Sequence, residues 1–91
     1  MKTISKYQTK TIEDHGDTIV RLYGTNIVRH SGINGTTMLD SGGYLTSTTK
    51  RRINQVSQTW ALGFTVYQKN YQWFVVLPDN NIVKFFDGIV I

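Results

Sequence analysis

The sequence predicts an α+β domain: a small antiparallel β-sheet of about five to six strands, with one helix packed on one face. Short runs rich in β-branched and aromatic residues alternate with turn dipeptides on both sides of a single segment that has helical periodicity. The chain has 91 residues, 40% of them apolar, which is enough for one hydrophobic core. The predicted order of elements is β-β-β-α-β-β-β.

Three strands are predicted before the helix. The runs DTIVRLYG and TNIVRHSGI meet at Gly24. The run TTMLD is expected to pair back across Asn34-Gly35, a dipeptide typical of a type I′ hairpin turn.

The first residues carry a basic pattern of their own. Lys2, Lys6 and Lys10 fall on one side of an alternating run. We interpret residues 1–12 as either a basic N-terminal arm or a basic edge strand, and residues 13–91 as a single α+β domain.

The helix is predicted to begin after a pair of glycines. Ser47 or Thr48 supplies the N-cap hydroxyl, and Gly63 stands where a helix C-terminus is expected. One apolar stripe runs along the segment at helical spacing, formed by Ile53, Val56 and Trp60.

Three more strands are predicted after the helix, from the runs LGFTVYQ, QWFVVL and NIVKFF. The consecutive apolar residues of QWFVVL are typical of a strand that is buried on both faces. Asp87-Gly88 permits a last reversal before the C-terminal IVI, which we interpret as a tucked strand or the edge of a dimer.

Catalysis is not indicated. His15 lies near Asp14 and Asp17, but adjacent residues of an extended chain point to opposite sides, and acidic residues are common in turns. His30 and Ser31 cannot share a proton on a strand for the same reason. The chain has no cysteine, which excludes thiolate zinc sites and disulfides. We predict that the protein is not an enzyme and has no catalytic residues, metal or cofactor.

Composition also restricts the partners. The formal net charge of +4 at pH 7 favours polyanions. No apolar run resembles a signal peptide or approaches the roughly 20 residues that span a bilayer. We therefore expect an intracellular protein without a membrane partner.

The candidate site is the glycine-rich loop and the basic start of the predicted helix. Cations are unfavourable at a helix N-terminus, because the peptide dipoles place partial positive charge there. A bound anion would reverse that penalty, and glycine amides with hydroxyl donors suit a phosphate. The candidate ligand-binding residues are Gly42, Gly43, Tyr44, Ser47, Thr48, Thr49, Lys50, Arg51, Arg52 and Asn54.

This segment has two other interpretations. It lacks the second glycine of a Walker A loop and the preceding parallel strand, so nucleotide hydrolysis is not expected. An ordinary solvated helix face, with no ligand, stays an open alternative.

The chain resembles a group of short bacteriophage open reading frames of unassigned function. The resemblance rests on SGGY-x-T-x-TTK-x-R-x-NQ, followed by LGF-x-V-x-Q, W-x-V and a late Asp87-Gly88. It implies a viral accessory protein made in the host cytoplasm, and it carries over no catalytic residue. By analogy with other small phage proteins, it also implies a protein that acts by binding.

These observations lead to one main hypothesis and two alternatives. The main hypothesis is a non-enzymatic protein that holds a phosphate-bearing ligand, foremost nucleic acid, in which cations neutralise phosphates and Tyr44 stacks on a base. The alternatives are an anti-defence protein that sequesters a nucleotide immune signal, and an inhibitor of a host defence protein. The sequence leaves open whether the chain forms a homo-oligomer.

Overall fold

The computed structural model describes residue 4 and residues 6–91. These described residues form eight strands in two antiparallel sheets and one helix, which confirms the predicted α+β class. The elements are β1 (Thr9–Asp14), β2 (Asp17–Leu22), β3 (Thr25–Ser31), β4 (Thr37–Leu39), α1 (Ser47–Thr59), β5 (Thr65–Lys69), β6 (Gln72–Val76), β7 (Ile82–Lys84) and β8 (Ile89–Val90).

The strands divide into a larger and a smaller sheet, whereas the sequence predicted one. The larger sheet has the order β1-β2-β3-β4-β8, and the smaller has the order β5-β6-β7. The C-terminal strand β8 pairs with β4, so IVI is a tucked strand. The two sheets stay separate at β5 because α1 lies along the free edge of that strand, as described below.

The strand β1 is the outer strand of the larger sheet and pairs with β2 along its whole length. The boundary predicted between residues 12 and 13 therefore falls inside a strand. Lys6 and Lys10 are exposed, and Lys2 lies outside the described residues.

The turn predicted at Asn34-Gly35 is wrong in its type. A type I′ turn needs positive φ at both central residues, and only Gly35, at +69°, has it. The chain instead forms a longer loop between β3 and β4. Gly35 donates its N–H to the carbonyl of Ser31, and Ser31 donates to the carbonyl of Thr36, both at 2.9 Å.

The ends of α1 differ from the prediction by one or two residues. Thr46, and neither Ser47 nor Thr48, is the N-cap, because its hydroxyl accepts a hydrogen bond from the Thr49 N–H. At the other end, Leu62 donates to the carbonyl of Ser57 at 2.9 Å, with Ala61 in the left-handed region at φ +54°. This is a Schellman ending, with alanine where glycine is usual.

The core lies between α1 and both sheets. Ile53 and Val56 of the predicted stripe are fully buried, and Trp60 packs against the core while remaining partly exposed. The main contributions from the sheets are Val20, Val28, Leu39, Val66, Trp73 and Val75.

A row of polar side chains joins α1 to the edge of β5. The Ser57 hydroxyl donates to the Phe64 carbonyl at 2.6 Å and accepts from its N–H at 3.1 Å. Asn54 donates to the Val66 carbonyl at 2.8 Å and accepts from its N–H at 2.7 Å. These side chains provide the donors and acceptors that a neighbouring strand would offer.

Candidate functional site

The glycine-rich loop is fixed in place by two carboxylates. Asp87, in the turn between β7 and β8, accepts hydrogen bonds from the Ser41 N–H at 2.8 Å and from its hydroxyl at 2.7 Å. Asp40 accepts from the Gly42 N–H at 2.6 Å. Because Ser41 is buried, the loop is anchored at its base while the residues that follow remain exposed.

The two glycines serve different purposes. A Cβ on Gly42 would lie 2.6 Å from the Thr25 hydroxyl oxygen, so the loop passes too close to β3 for any side chain. A Cβ on Gly43 would meet nothing within 4 Å, and its φ of +84° is what favours glycine there. The loop therefore lies directly against the start of β3.

The hydroxyl residues at the start of α1 point in different directions. Thr49 is buried, and its hydroxyl lies 3.1 Å from that of Thr46. Ser47 is exposed, and Thr48 is half-buried in the first turn. Ser47 alone of these four lines the outer surface of the helix described next.

Lys50 and Arg51 lie on that outer surface, in an open groove of about 510 Å³ along α1. The remaining residues of the groove are polar and uncharged: Ser47, Asn54, Gln55 and Gln58. Lys50 donates to the Gln68 side chain at 3.5 Å, and Arg51 is exposed. Within the part of the chain that the structure describes, no carboxylate lines this groove and neither cation forms an ion pair.

Arg52 and Asn54, both predicted to contact the ligand, are used inside the fold. Arg52 is only 5% exposed, and its guanidinium donates to the Thr9 hydroxyl and to the Gln55 side chain, each at 3.0 Å. Asn54 holds both backbone groups of Val66, although its side chain also borders the groove. The three consecutive cations thus separate into two outer ones and one internal one.

Tyr44 borders a second cavity, on the other side of the helix start. This pocket has a volume of about 490 Å³ and lies between the glycine-rich loop and the β2–β3 turn. Its apolar residues are Leu22 and Ile27, its two rings are Tyr23 and Tyr44, and its hydroxyl residues are Thr25, Ser41, Thr46 and Thr49. Both rings are largely exposed, Tyr23 at 62% and Tyr44 at 67%.

Of the two rings that border this pocket, Tyr23 was not among the residues predicted from the sequence. It adopts φ +55°, a backbone conformation that is unusual for a bulky residue. Its ring makes an edge-to-face contact with Tyr7, with 6.4 Å between ring centroids. The pKa of Tyr23 is raised because its phenol is hydrogen-bonded to that of Tyr7, and the nearby charge of Arg52 partly opposes the rise.

The described residues contain no group of three or more His, Cys, Asp or Glu side chains arranged to hold a metal ion. Nor does any helix among them have the length and apolar character needed to cross a membrane. What the site offers is hydrogen-bond donors, aromatic faces and two unneutralised positive charges.

Comparison with curated proteins and with solved structures finds no match. The model of one protein family, described as Kyanoviridae Gp96 protein, matches residues 1–91. This agrees with the resemblance to short phage reading frames and confirms it. The chain therefore belongs to the Kyanoviridae Gp96 family, a family of phage proteins.

Proposed function

We propose that this phage protein acts in the host cytoplasm as a non-enzymatic nucleic-acid-binding protein, with the outer groove of α1 as its phosphate contact. The observation that carries the proposal is the groove itself. Lys50 and Arg51 lie side by side among uncharged hydrogen-bonding side chains, with no carboxylate among the described residues that line it. Lys, Arg and polar amide side chains are those that hold phosphate oxygens in nucleic-acid complexes.

The distribution of charge supports this assignment. The first turn of α1 contains no acidic residue, so the helix dipole and both cations act in the same direction. The ion pairs of the described chain lie elsewhere, at the β1–β2 turn, where Arg29 donates to Asp17 at 2.7 Å. A phosphate in the groove would provide the negative charge that the helix start lacks.

Because Arg52 is buried, two cations of this segment remain to contact phosphates. With Lys50 and Arg51 as the phosphate contacts, log K should fall with log salt at a slope of about −1.4 for a single strand or about −1.8 for a duplex. A third contact would make either slope steeper. The slope therefore reports how many cations touch the phosphates.

The test is binding of a labelled oligonucleotide at several salt concentrations. The double variant Lys50→Gln, Arg51→Gln should weaken binding at low salt and flatten the slope toward zero. Lys84→Gln is the matched control, because Lys84 is an exposed cation on β7, two strands away from β5 and its helix. Equal losses of binding free energy per removed charge from the control and the double variant, or affinity that is indifferent to salt, would contradict the proposal.

A second candidate function is sequestration of a small nucleotide, and the pocket beside Tyr44 is the observation that favours it. Its volume of about 490 Å³ is within the range of small-molecule sites. Calorimetry against a panel of nucleotides separates the two functions. Stoichiometric binding of one nucleotide, with no binding of an oligonucleotide, supports sequestration.

A further inference from the structure

We propose that the pocket between Tyr23 and Tyr44 accepts one unpaired nucleobase, so that the nucleic acid is bound as a single strand. This inference rests on the proposed function and makes it more specific. The groove alone would suit any phosphate backbone, whereas a base can enter the pocket only when it is not paired and stacked in a duplex.

The size and lining of the pocket fit a planar ring. Its volume of about 490 Å³ leaves room for a base and part of its sugar, and it borders the buried side chains of Leu22 and Ile27. Binding sites for small aromatic ligands combine such an apolar lining with a few polar groups. Because Leu22 and Ile27 are already buried, a base entering here would mainly cover the exposed rings of Tyr23 and Tyr44.

The two rings are presented on separate loops on the two sides of the pocket. Tyr23 lies in the β2–β3 turn, and Tyr44 lies in the loop that precedes α1. The loop of Tyr44 is held by the bonds from Ser41 to Asp87, and the turn of Tyr23 is held by its N–H, which donates to the Gln8 carbonyl at 2.7 Å. Both exposed rings are thus carried on anchored backbone, so less backbone entropy is lost when they stack on a base.

The polar wall of the pocket consists of hydroxyl groups, from Thr25, Ser41, Thr46 and Thr49. A hydroxyl both donates and accepts, so it can bond to the edge of any of the bases. The Ser41 hydroxyl already donates to Asp87, and that of the buried Thr49 is bonded to Thr46, so contact with a base falls to Thr25 and Thr46. No cation or carboxylate among the described residues lines the pocket. We therefore expect weak preference among bases and strong dependence on the presence of a base.

The pocket and the groove lie close enough to serve one strand. Thr46 and Thr49 line the pocket, while Ser47 and Lys50, their neighbours in the chain, line the groove. All four residues belong to about one turn of helix, a rise of about 5.4 Å. A strand that inserts a base beside Thr46 accordingly carries its adjacent phosphates toward Lys50 and Arg51.

The experiment measures anisotropy at low salt with three labelled probes: a short single strand of mixed sequence, its duplex, and an abasic strand with the same phosphates. We expect the single strand to bind most tightly. Tyr23→Ala and Tyr44→Ala should each weaken its binding by about 5- to 150-fold, the value of one base stacked on an aromatic ring, and should leave binding of the abasic strand unchanged.

Matched controls separate stacking from other effects. Tyr23→Phe and Tyr44→Phe keep the ring and should retain most of the affinity. Tyr71→Ala removes a ring that is 93% exposed and lies outside the pocket, and it should have no effect. Thermal melting of each variant verifies that the fold is intact.

The outcomes distinguish the two proposals. Equal affinity for the single strand and the abasic strand, with the Lys50 and Arg51 dependence intact, overturns the base pocket and leaves the proposed function standing. Tighter binding of the duplex than of the single strand would likewise overturn the base pocket and leave the proposed function standing. No binding of any strand overturns both, and binding of a free nucleotide in its place supports sequestration.

Discussion

Replacing Asn54 with alanine tests whether this residue holds the fold together. Its side chain makes two hydrogen bonds to Val66, at 2.7 and 2.8 Å, across the boundary between α1 and β5. Two such bonds are worth about 2 kcal/mol, and leaving the Val66 groups without partners at a buried edge adds about 1 kcal/mol. The higher helix propensity of alanine offsets about 0.5 kcal/mol of this loss. We expect a net loss of about 2.5 kcal/mol in the free energy of unfolding.

Thermal melting followed by circular dichroism measures this loss. In a domain of this size, 1 kcal/mol corresponds to about 4–8 °C in Tm, so Asn54→Ala should melt about 10–20 °C below the wild type. Asn54→Asp should melt no higher than Asn54→Ala. Its carboxylate keeps the acceptor for the Val66 N–H but has no donor for the Val66 carbonyl.

Gln58→Ala is the matched control for this prediction. Gln58 is an exposed amide side chain on the same helix, and its replacement should change stability by less than about 0.5 kcal/mol. If Asn54→Ala melts within error of Gln58→Ala, the bonds to Val66 contribute nothing, and the account of how α1 is held against β5 is refuted.

Three substitutions to or from glycine test the backbone conformations. Gly42→Ala should cost about 2–4 kcal/mol, because its Cβ would lie 2.6 Å from the Thr25 hydroxyl oxygen, whereas Gly43→Ala should cost only about 1 kcal/mol for its positive φ. Urea denaturation gives both values, and equal losses would contradict the close approach. Ala61→Gly should raise stability by about 0.5–1 kcal/mol, since Ala61 has φ +54° at the end of the helix; a lower Tm would argue against strain there.

The sequence predicted the helix well because its stripe of Ile53 and Val56 is a local pattern. The first residue of the helix was harder to predict, because several neighbouring residues could act as the N-cap. Every residue from Thr46 to Thr49 carries a hydroxyl, so any of several positions satisfied the capping rule. The structure selects Thr46 through its bond to the Thr49 N–H.

The position of Arg52 depended on contacts that no local pattern contains. Its guanidinium is bonded to Thr9, at the start of the first strand and distant in the sequence. A long side chain beside an apolar stripe can either extend into solvent or lie along the core. Arg52 lies along the core because β1 packs there and supplies the Thr9 hydroxyl as a hydrogen-bond partner. The same holds for Tyr23, which meets Tyr44 at one pocket because two separate loops come together. A large ring beside Gly24, in a turn where small polar residues are usual, was the one signal available.

The way α1 lies along β5 also limits how copies of the chain can associate. An open sheet with two free edges can add strands at both ends and grow into a fibre. In the smaller sheet Asn54 and Ser57 of α1 cover the edge at β5 where they bond to Val66 and Phe64, whereas among the described residues the edge at β7 has neither a strand nor a helix bonded to it. Once that edge has paired with the same edge of another copy, the combined sheet ends on both sides at a β5 strand whose edge is partly covered by α1, which hinders further growth by strand addition there.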